Sequence, residues 1–437
     1  MMEAVLEKQK KGKYATYQNS NTEWLGKIPK HWEVKKLKYI FQEKKRGSNI
    51  DLNCGSISFG RVVLKDDEKI PYQTKKSYQV VLKGDFLINP LNLNYDLVSL
   101  RIALSELDVV VSSGYIVINS SININKDYFK WLLHRFDVSY MKLLGSGVRQ
   151  TLNYADIGNC NLILPPISEQ TAIAKFLNLK TTSIDQAIDI KQKQINLLKE
   201  RKQILIQKAI TRGVSSKVKL KDSGFEWVKK IPQHWQVKRL RYIANCFPSN
   251  VDKHSKENEK KVRLCNYTDV YKNDFIADDM ELMEATATNE QIKKFTLVKG
   301  DIVITKDSET ASDIAVPAYV KEDLTNVVCG YHLAIIRPYS MVNGKYLFRA
   351  LQCKVFNIQF ELCSNGITRV GLGNSDLKKG LFFLPPMNEQ IEIAQYIDNV
   401  SQKIITAVSS KEKEIEKLKE YKAILIHSAV TGKIKVC

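Results

Sequence analysis

The chain has 437 residues, with 67 Lys and Arg against 47 Asp and Glu and a formal net charge of +20. Its length exceeds one average domain, and a hydrophobic content of 44% suits packed cores, which excludes an intrinsically disordered chain. No run approaches about 18 consecutive apolar residues, so no membrane span is expected; the basic excess instead makes a polyanion the first partner to consider, because released counterions drive such surfaces onto phosphate backbones.

Residues 1–16 form a charged extension without the apolar stretch of a signal peptide. A globular domain is expected over residues 17–166. It opens with Trp24-Leu-Gly-Lys-Ile-Pro-Lys-His-Trp-Glu-Val-Lys-Lys-Leu-Lys-Tyr-Ile40. Within Val81-Leu-Lys-Gly-Asp-Phe-Leu-Ile88, Lys-Gly-Asp reads as a turn entering a strand. Residues 109–111, 115–118 and 162–164 read as buried strands, and 127–144 as a short helix carrying aromatic residues. Pro165 and Pro166 end the last strand. A long helix is expected over residues 167–213, with Ser168 as N-cap and Glu169 in a first turn whose dipole favours negative charge.

The same elements then return. The opening motif reappears from Trp227 to Ile243, with eleven of seventeen positions identical at an offset of 203. Leu297-Val-Lys-Gly-Asp-Ile-Val-Ile304 answers the first Lys-Gly-Asp segment at an offset of 216, and Leu384-Pro-Pro-Met-Asn-Glu-Gln390 answers Leu164-Pro-Pro-Ile-Ser-Glu-Gln170 at 220. Three ordered matches define a tandem duplication with a constant frame and divergent filling. A second globular domain is expected over residues 214–386, with strands at 302–304, 333–336 and 381–384 and a helix over 344–362. A second long helix, capped by Asn388, is expected within residues 387–437.

Both long helices fit one heptad frame. Ile184, Ile188, Lys191, Ile195, Leu198, Lys202, Leu205 and Ala209 in the first match Ile404, Val408, Lys411, Ile415, Leu418, Lys422, Leu425 and Ala429 in the second. Alternating spacings of four and three describe a coiled-coil seam, with Lys at the same two slots in each copy. The fold class expected is therefore α+β: two globular domains joined by two long antiparallel helices forming a coiled coil. About 40 residues at 1.5 Å each give roughly 60 Å of rod, enough to separate two readers of duplex DNA by about one 34 Å turn.

These motifs resemble the specificity subunits of type I restriction-modification systems, over nearly the whole chain. The resemblance rests on Trp-x-x-x-Ile-Pro-x-His-Trp at each domain start, on Lys-Gly-Asp, and on Leu-Pro-Pro-x-x-Glu-Gln at each helix start. Ile88-Asn-Pro-Leu91, Gly145-Ser-Gly-Val-Arg-Gln150 and Val328-Cys-Gly-Tyr-His-Leu333 add to it. It implies two target-recognition domains, each reading half of a bipartite site in double-stranded DNA. It also implies helices that set the spacer and dock two methyltransferase subunits, with motor-nuclease restriction subunits completing the complex. S-adenosylmethionine, ATP and Mg would then sit on the partners, with no cofactor or metal on this chain. An orphan or fused-system methylation specificity subunit and a non-DNA coiled-coil scaffold are the alternatives.

The two helix segments 168–212 and 388–432 carry +5 and −1, which leaves +16 of the charge on the rest of the chain. That distribution suits domains that grip phosphate. Candidate DNA contacts in the first domain are Lys44, Lys45, Arg46, Arg149 and Gln150; in the second they are Lys306, Thr368 and Arg369. Arg matches guanine and Gln matches adenine in the major groove, although each can equally serve as a phosphate contact. The paired His31 and His234, each next to Trp, read as packed structural residues without a nearby acid or Cys partner. No Walker or dinucleotide motif occurs. Asn89-Pro90-Leu91-Asn92 lacks the second proline and the aromatic that would hold a flipped adenine, and Asp301 with Lys306 lacks a second carboxylate for Mg²⁺. A non-catalytic subunit is expected. The eight cysteines are scattered singly, as small apolar residues of a reducing cytoplasm.

Overall fold

A computed structural model describes residues 12–91, 100–141, 152–215, 218–225, 227–366 and 368–436. The chain divides into two compact units. Unit 1 comprises Met1–Lys191 with Lys413–Cys437, and unit 2 comprises Gln192–Glu412. Each therefore contains one globular domain together with a segment of each long helix. Among the described residues no helix is long and apolar enough to cross a membrane.

In unit 1, Trp32 leads into β1 (Glu33–Lys36), followed by β2 (Phe41–Glu43), β3 (Phe86–Ile88), β4 (Ile102–Leu104), β5 (Ile116–Ser120), α1 (Lys126–Ser139) and β6 (Asn161–Leu164). Strands β2-β5-β3-β4 form an antiparallel sheet in that order, and β6 pairs with β1. Alternation and β-branching make these strands: β3 is buried along its length, and β5 buries Ile116, Val117 and Ile118. Phe41 meets Phe86 and Phe129 edge-on, with ring centroids 5.3 Å from each, and so locks the sheet to α1. The first long helix, Ile167–Arg212, contributes Ile173, Leu177 and Ile184 to this core. The second, Met387–Val430, contributes Leu425, Ile426, Ala429 and Val430. Lys191 pairs with Glu414, and Lys422 with Asp185 at 2.7 Å, so these segments run antiparallel.

Unit 2 repeats the plan. Among its strands are β7 (Gln236–Arg239), β8 (Ala244–Pro248), β9 (Lys260–Cys265), β10 (Phe275–Ile276), β11 (Met283–Ala287), β12 (Ile302–Thr305), β13 (Asp307–Ser308), β14 (Pro317–Val320), β15 (Val327–Cys329), β16 (Leu333–Pro338), β17 (Val370–Gly371) and β18 (Leu381–Leu384). A five-stranded sheet runs β8-β16-β12-β14-β10, its first four members matching the sheet of unit 1, while β18 pairs with β7 as β6 does with β1. A three-stranded sheet, β11-β9-β15, covers a second core. The single helix expected over 344–362 is instead two, α2 (Gly344–Gln352) and α3 (Lys354–Cys363). Cys353 adopts an extended conformation between them, and α3 buries Phe356 and Phe360.

The Lys-Gly-Asp signature is a turn closed by a buried carboxylate. Gly84 and Gly300 adopt φ of 93° and 92°, a region that favours glycine. Asp85 accepts from the Leu82 amide at 2.8 Å and from Lys44 Nζ at 2.6 Å. Asp301 accepts from the Val298 amide at 3.0 Å and from Arg337 through two bonds of 2.7 Å.

The other two signatures meet each other. Glu169 Oε2 accepts from Tyr14 at 2.7 Å and from the Trp32 indole at 3.1 Å, and Oε1 lies 2.6 Å from His31 Nε2. In unit 2, Glu389 takes the Trp235 indole at 2.8 Å and His234 Nε2 at 2.6 Å. The histidines thus have an acid partner, contrary to the expectation from sequence, where that acid lies 138 or 155 positions away. The expected N-caps shift as well. Gln170 and Gln390 amides donate to the Pro166 and Pro386 carbonyls at 3.0 Å, so the prolines take the cap position. Ser168 and Asn388 fall inside the first turn, because the prolines keep the chain extended up to that point. Gln170 also accepts from the Asn125 amide and donates to the Pro165 carbonyl; Gln390 does the same with Asn343 and Pro385.

Burial alone would raise the Glu169 pKa, but bonds from Tyr14, His31 and Trp32 outweigh it and hold the carboxyl below its usual range. A depressed pKa means stability that is full above the unfolded carboxylate value and lost as pH falls through the folded one. Glu169→Ala should strand a buried indole N–H and lower the stability of unit 1 by about 2–4 kcal/mol, with Glu389→Ala acting likewise on unit 2; denaturant unfolding reads both.

His427 offers a second pH test. Arg135 Nε lies 3.0 Å from its Nδ1 and Lys433 Nζ 2.6 Å from its Nε2. Burial, then the charges of Arg135 and Lys433, push the imidazole down to about 4. The unfolded chain takes this proton first, so unit 1 should lose stability as pH falls from about 6.5 toward about 4. Replacement His427→Gln, which installs the residue found at the matching slot of the first helix, Gln207, should flatten that part of the profile in thermal unfolding.

Candidate nucleic-acid interface

In unit 1 the basic segment after β2 divides in two. Lys44 is half-buried and its ammonium is held by Asp85, which makes it part of the turn, whereas Lys45 and Arg46 are exposed. Arg149 and Gln150 lie outside the described residues.

In unit 2 the candidates converge. β12 delivers Lys306, and β13 pairs antiparallel with β17, matching Asp307 with Gly371 and Ser308 with Val370. The loop holding Thr368 and Arg369, both exposed, is thereby drawn against Lys306, whose carbonyl accepts from the Leu372 amide at 2.9 Å. Lys306 Nζ donates to Asp307 Oδ2 at 2.6 Å; His332 Nδ1 lies 3.1 Å from the same oxygen, and Arg369 Nη1 lies 3.1 Å from His332 Nε2. Arg369, His332 and Asp307 line a cavity of about 360 Å³ together with Glu309, Tyr267 and Tyr271. The two tyrosines stack with centroids 5.5 Å apart. Tyr267 shares a hydrogen bond with Ser308 at 3.0 Å, and Tyr271 donates to Asp313 at 3.3 Å. The charge of Asp313 raises the Tyr271 pKa, so its hydroxyl remains a donor. A neighbouring cavity of about 550 Å³ shares Asp307 and adds Lys306 and Tyr331, whose ring lies 3.5 Å from that of His332.

Sequence reasoning named Lys306, Thr368 and Arg369 as candidates but did not name the tyrosine pair or His332, which the structure places beside Arg369. The i, i+4 spacing of Tyr267 and Tyr271 was the available signal. The arrangement presents directional donors, acceptors and aromatic faces on short paired strands, which is the equipment for reading base edges.

Two segments, residues 29–200 and 232–417, match the profile of the type I restriction modification DNA specificity domain, and together they span well over half of the chain. The chain belongs to this family. Both matches begin at the proline of the Ile-Pro-x-His-Trp motif, so the type I specificity profile recognises the duplication as two domains. Among relatives, the protein of Methanocaldococcus jannaschii assigned as the type I restriction enzyme MjaX specificity subunit is 24% identical over 94% of this chain and 96% of its own length. The MjaVIII specificity subunit of the same organism is 22% identical over 75% of each chain. A chain from a solved type I restriction-modification system, described for its complex assembly and conformational transition, shares the fold with a TM-score of 0.69. It is 15% identical, and the match covers 92% of this chain and 98% of that one.

On the long helices of this specificity subunit, Ile184, Ile195, Ile404, Ile415 and Leu425 are buried. Ile188, Leu198, Leu205, Val408 and Leu418 are half-buried.

Proposed function

We propose that each globular domain reads one half of a bipartite site in double-stranded DNA, and that this chain confers that specificity on partner enzymes without catalysing a reaction itself. The long helices set the spacer between half-sites and dock two methyltransferase subunits; motor-nuclease restriction subunits join the same assembly. S-adenosylmethionine, ATP and Mg belong to those partners, and the complex works in the cytoplasm. The observation that carries this reading is the duplication of one frame. The same carboxylate–indole–imidazole lock stands in both units, while the filling between the signatures differs, as two independent readers on a common mount require. The +16 charge outside the helices supports phosphate contact, and two copies of a family domain named for DNA specificity support the division into half-sites.

The test is the adenine methylome of the host with and without this gene. Loss of methylation at a single bipartite motif is the expected result; an unchanged methylome in a host that expresses the partner enzymes would overturn the reading. Exchange of residues 17–166 for another such domain should alter one half-site only. Deleting one heptad from each long helix removes about 10 Å of rise, roughly three base pairs. That variant should methylate sites with a shorter gap and the same half-sites, and retention of the original gap would rule out the helices as a ruler.

A further inference from the structure

Arg369 ends a hydrogen-bonded series whose proton positions follow from elementary chemistry. A guanidinium only donates, so Nη1 at 3.1 Å requires a lone pair on His332 Nε2. The single proton of the neutral ring then resides on Nδ1, from which it is donated to Asp307 Oδ2 at 3.1 Å. Lys306 approaches that same oxygen at 2.6 Å and balances the carboxylate charge. Backbone pairing of β13 with β17 fixes the two ends of the series relative to each other.

This geometry distinguishes two uses of an exposed arginine. A phosphate contact needs charge and tolerates many orientations, yet Glu309 and Asp313 line the cavity with Arg369 and would repel a phosphate. A base edge is different. Guanine offers O6 and N7 to a guanidinium in one plane, while cytosine offers an amino group to a carboxylate, so an arginine flanked by acids suits a G·C pair. Arginine also carries rotamer entropy that binding must remove, and a fixed partner reduces that loss.

We propose that Arg369 reads a guanine in the half-site of the second domain, and that His332 and Asp307 are positioning residues that hold its guanidinium while the imidazole is neutral. This rests on the reading of the chain as a DNA specificity subunit. A second proton on His332 would place an N–H against Arg369. The groups facing the imidazole are Asp307 on β13, Arg369 before β17 and the adjoining Tyr331, with Lys306 acting through Asp307.

Cells lacking the gene would be complemented with wild type and with Arg369→Lys, and their adenine methylomes compared. A wild type that restores no bipartite motif defeats the specificity reading itself. Given a restored motif, Arg369→Lys keeps the charge and loses the planar fork. It should make one G·C position of the second half-site degenerate, with discrimination falling by about tenfold to a hundredfold, and leave the first half-site intact. An unchanged motif, or uniform weakening at all sites, overturns the proposal in favour of a phosphate contact. The positioning role is read with the purified complex on cognate and single-substitution duplexes. His332→Gln supplies an acceptor and should retain discrimination at that position, whereas His332→Leu should lose it and leave the first half-site intact. Equal loss in both variants, or wild-type discrimination in His332→Leu, overturns the positioning role.

Discussion

One carboxylate in the first turn of each long helix holds the architecture together. Glu169 sits where unpaired backbone amides and the helix dipole stabilise negative charge, and it is met there by an indole, an imidazole and a phenol from the domain start. Trp32 and Trp235 are almost fully buried, so their indole N–H groups require a partner. Supplying that partner from the helix forces the strand after each tryptophan, β1 or β7, to lie beside the strand that feeds the helix, β6 or β18. The opposite helix end closes on the same motif. Gly432, in the left-handed region, approaches Pro29 and Trp32 so closely that an added Cβ would lie 2.5 Å from the proline ring, and Gly213 packs on Trp235. Each tryptophan motif is thus clasped by the start of its own helix and the end of the other, which a linear reading of the repeats does not suggest.

Within that clasp, constancy is electrostatic rather than literal. Both Lys-Gly-Asp turns bury an aspartate that needs a cation, and the two units draw it from different strands. In unit 1 the cation is Lys44, directly after β2; the position matching it at the offset of 203 is Phe247. In unit 2 the cation is Arg337 on β16, which pairs with Asn245 across the sheet and lies over the Phe247 ring. The corresponding position on β5, opposite Gln42, is Asn119. The charge has moved to the neighbouring strand while the ion pair persisted, because a buried carboxylate left without a partner is strongly destabilising.

The duplication, the strand and helix inventory and the heptad seams were legible because they depend on local periodicity and on comparison of the chain with itself. The apolar seam residues are the buried and half-buried ones on each helix, as a spacing of four and three dictates. What was illegible depends on pairing across long separations. The partners of the seam lysines, Glu414 for Lys191 and Asp185 for Lys422, could not be assigned until helix register was fixed. Likewise the acid beside His31 lies in the next element but one of the frame, and nothing local marks it. The recognition candidates were half legible: a glycine-flanked arginine before the last strand was visible, whereas the imidazole hydrogen-bonded to it comes from the turn between β15 and β16.

This separation has a physical consequence for how such a protein can change what it reads. The lock joins buried indoles to half-buried carboxylates on the helices, so substitution there acts on stability. The Arg369 series stands on two-residue strands, joined to the frame through Lys306 just after β12, the short β13–β17 ladder and the His332 carbonyl, which accepts from the Lys306 and Asp307 amides. Changing a side chain in that ladder removes one or two partly exposed hydrogen bonds, a modest loss beside the burial of the Phe382 and Phe383 cluster beneath it. The lock and the candidate reading surface therefore lie on different elements, and a constant frame can carry a changed surface without renegotiating its own fold.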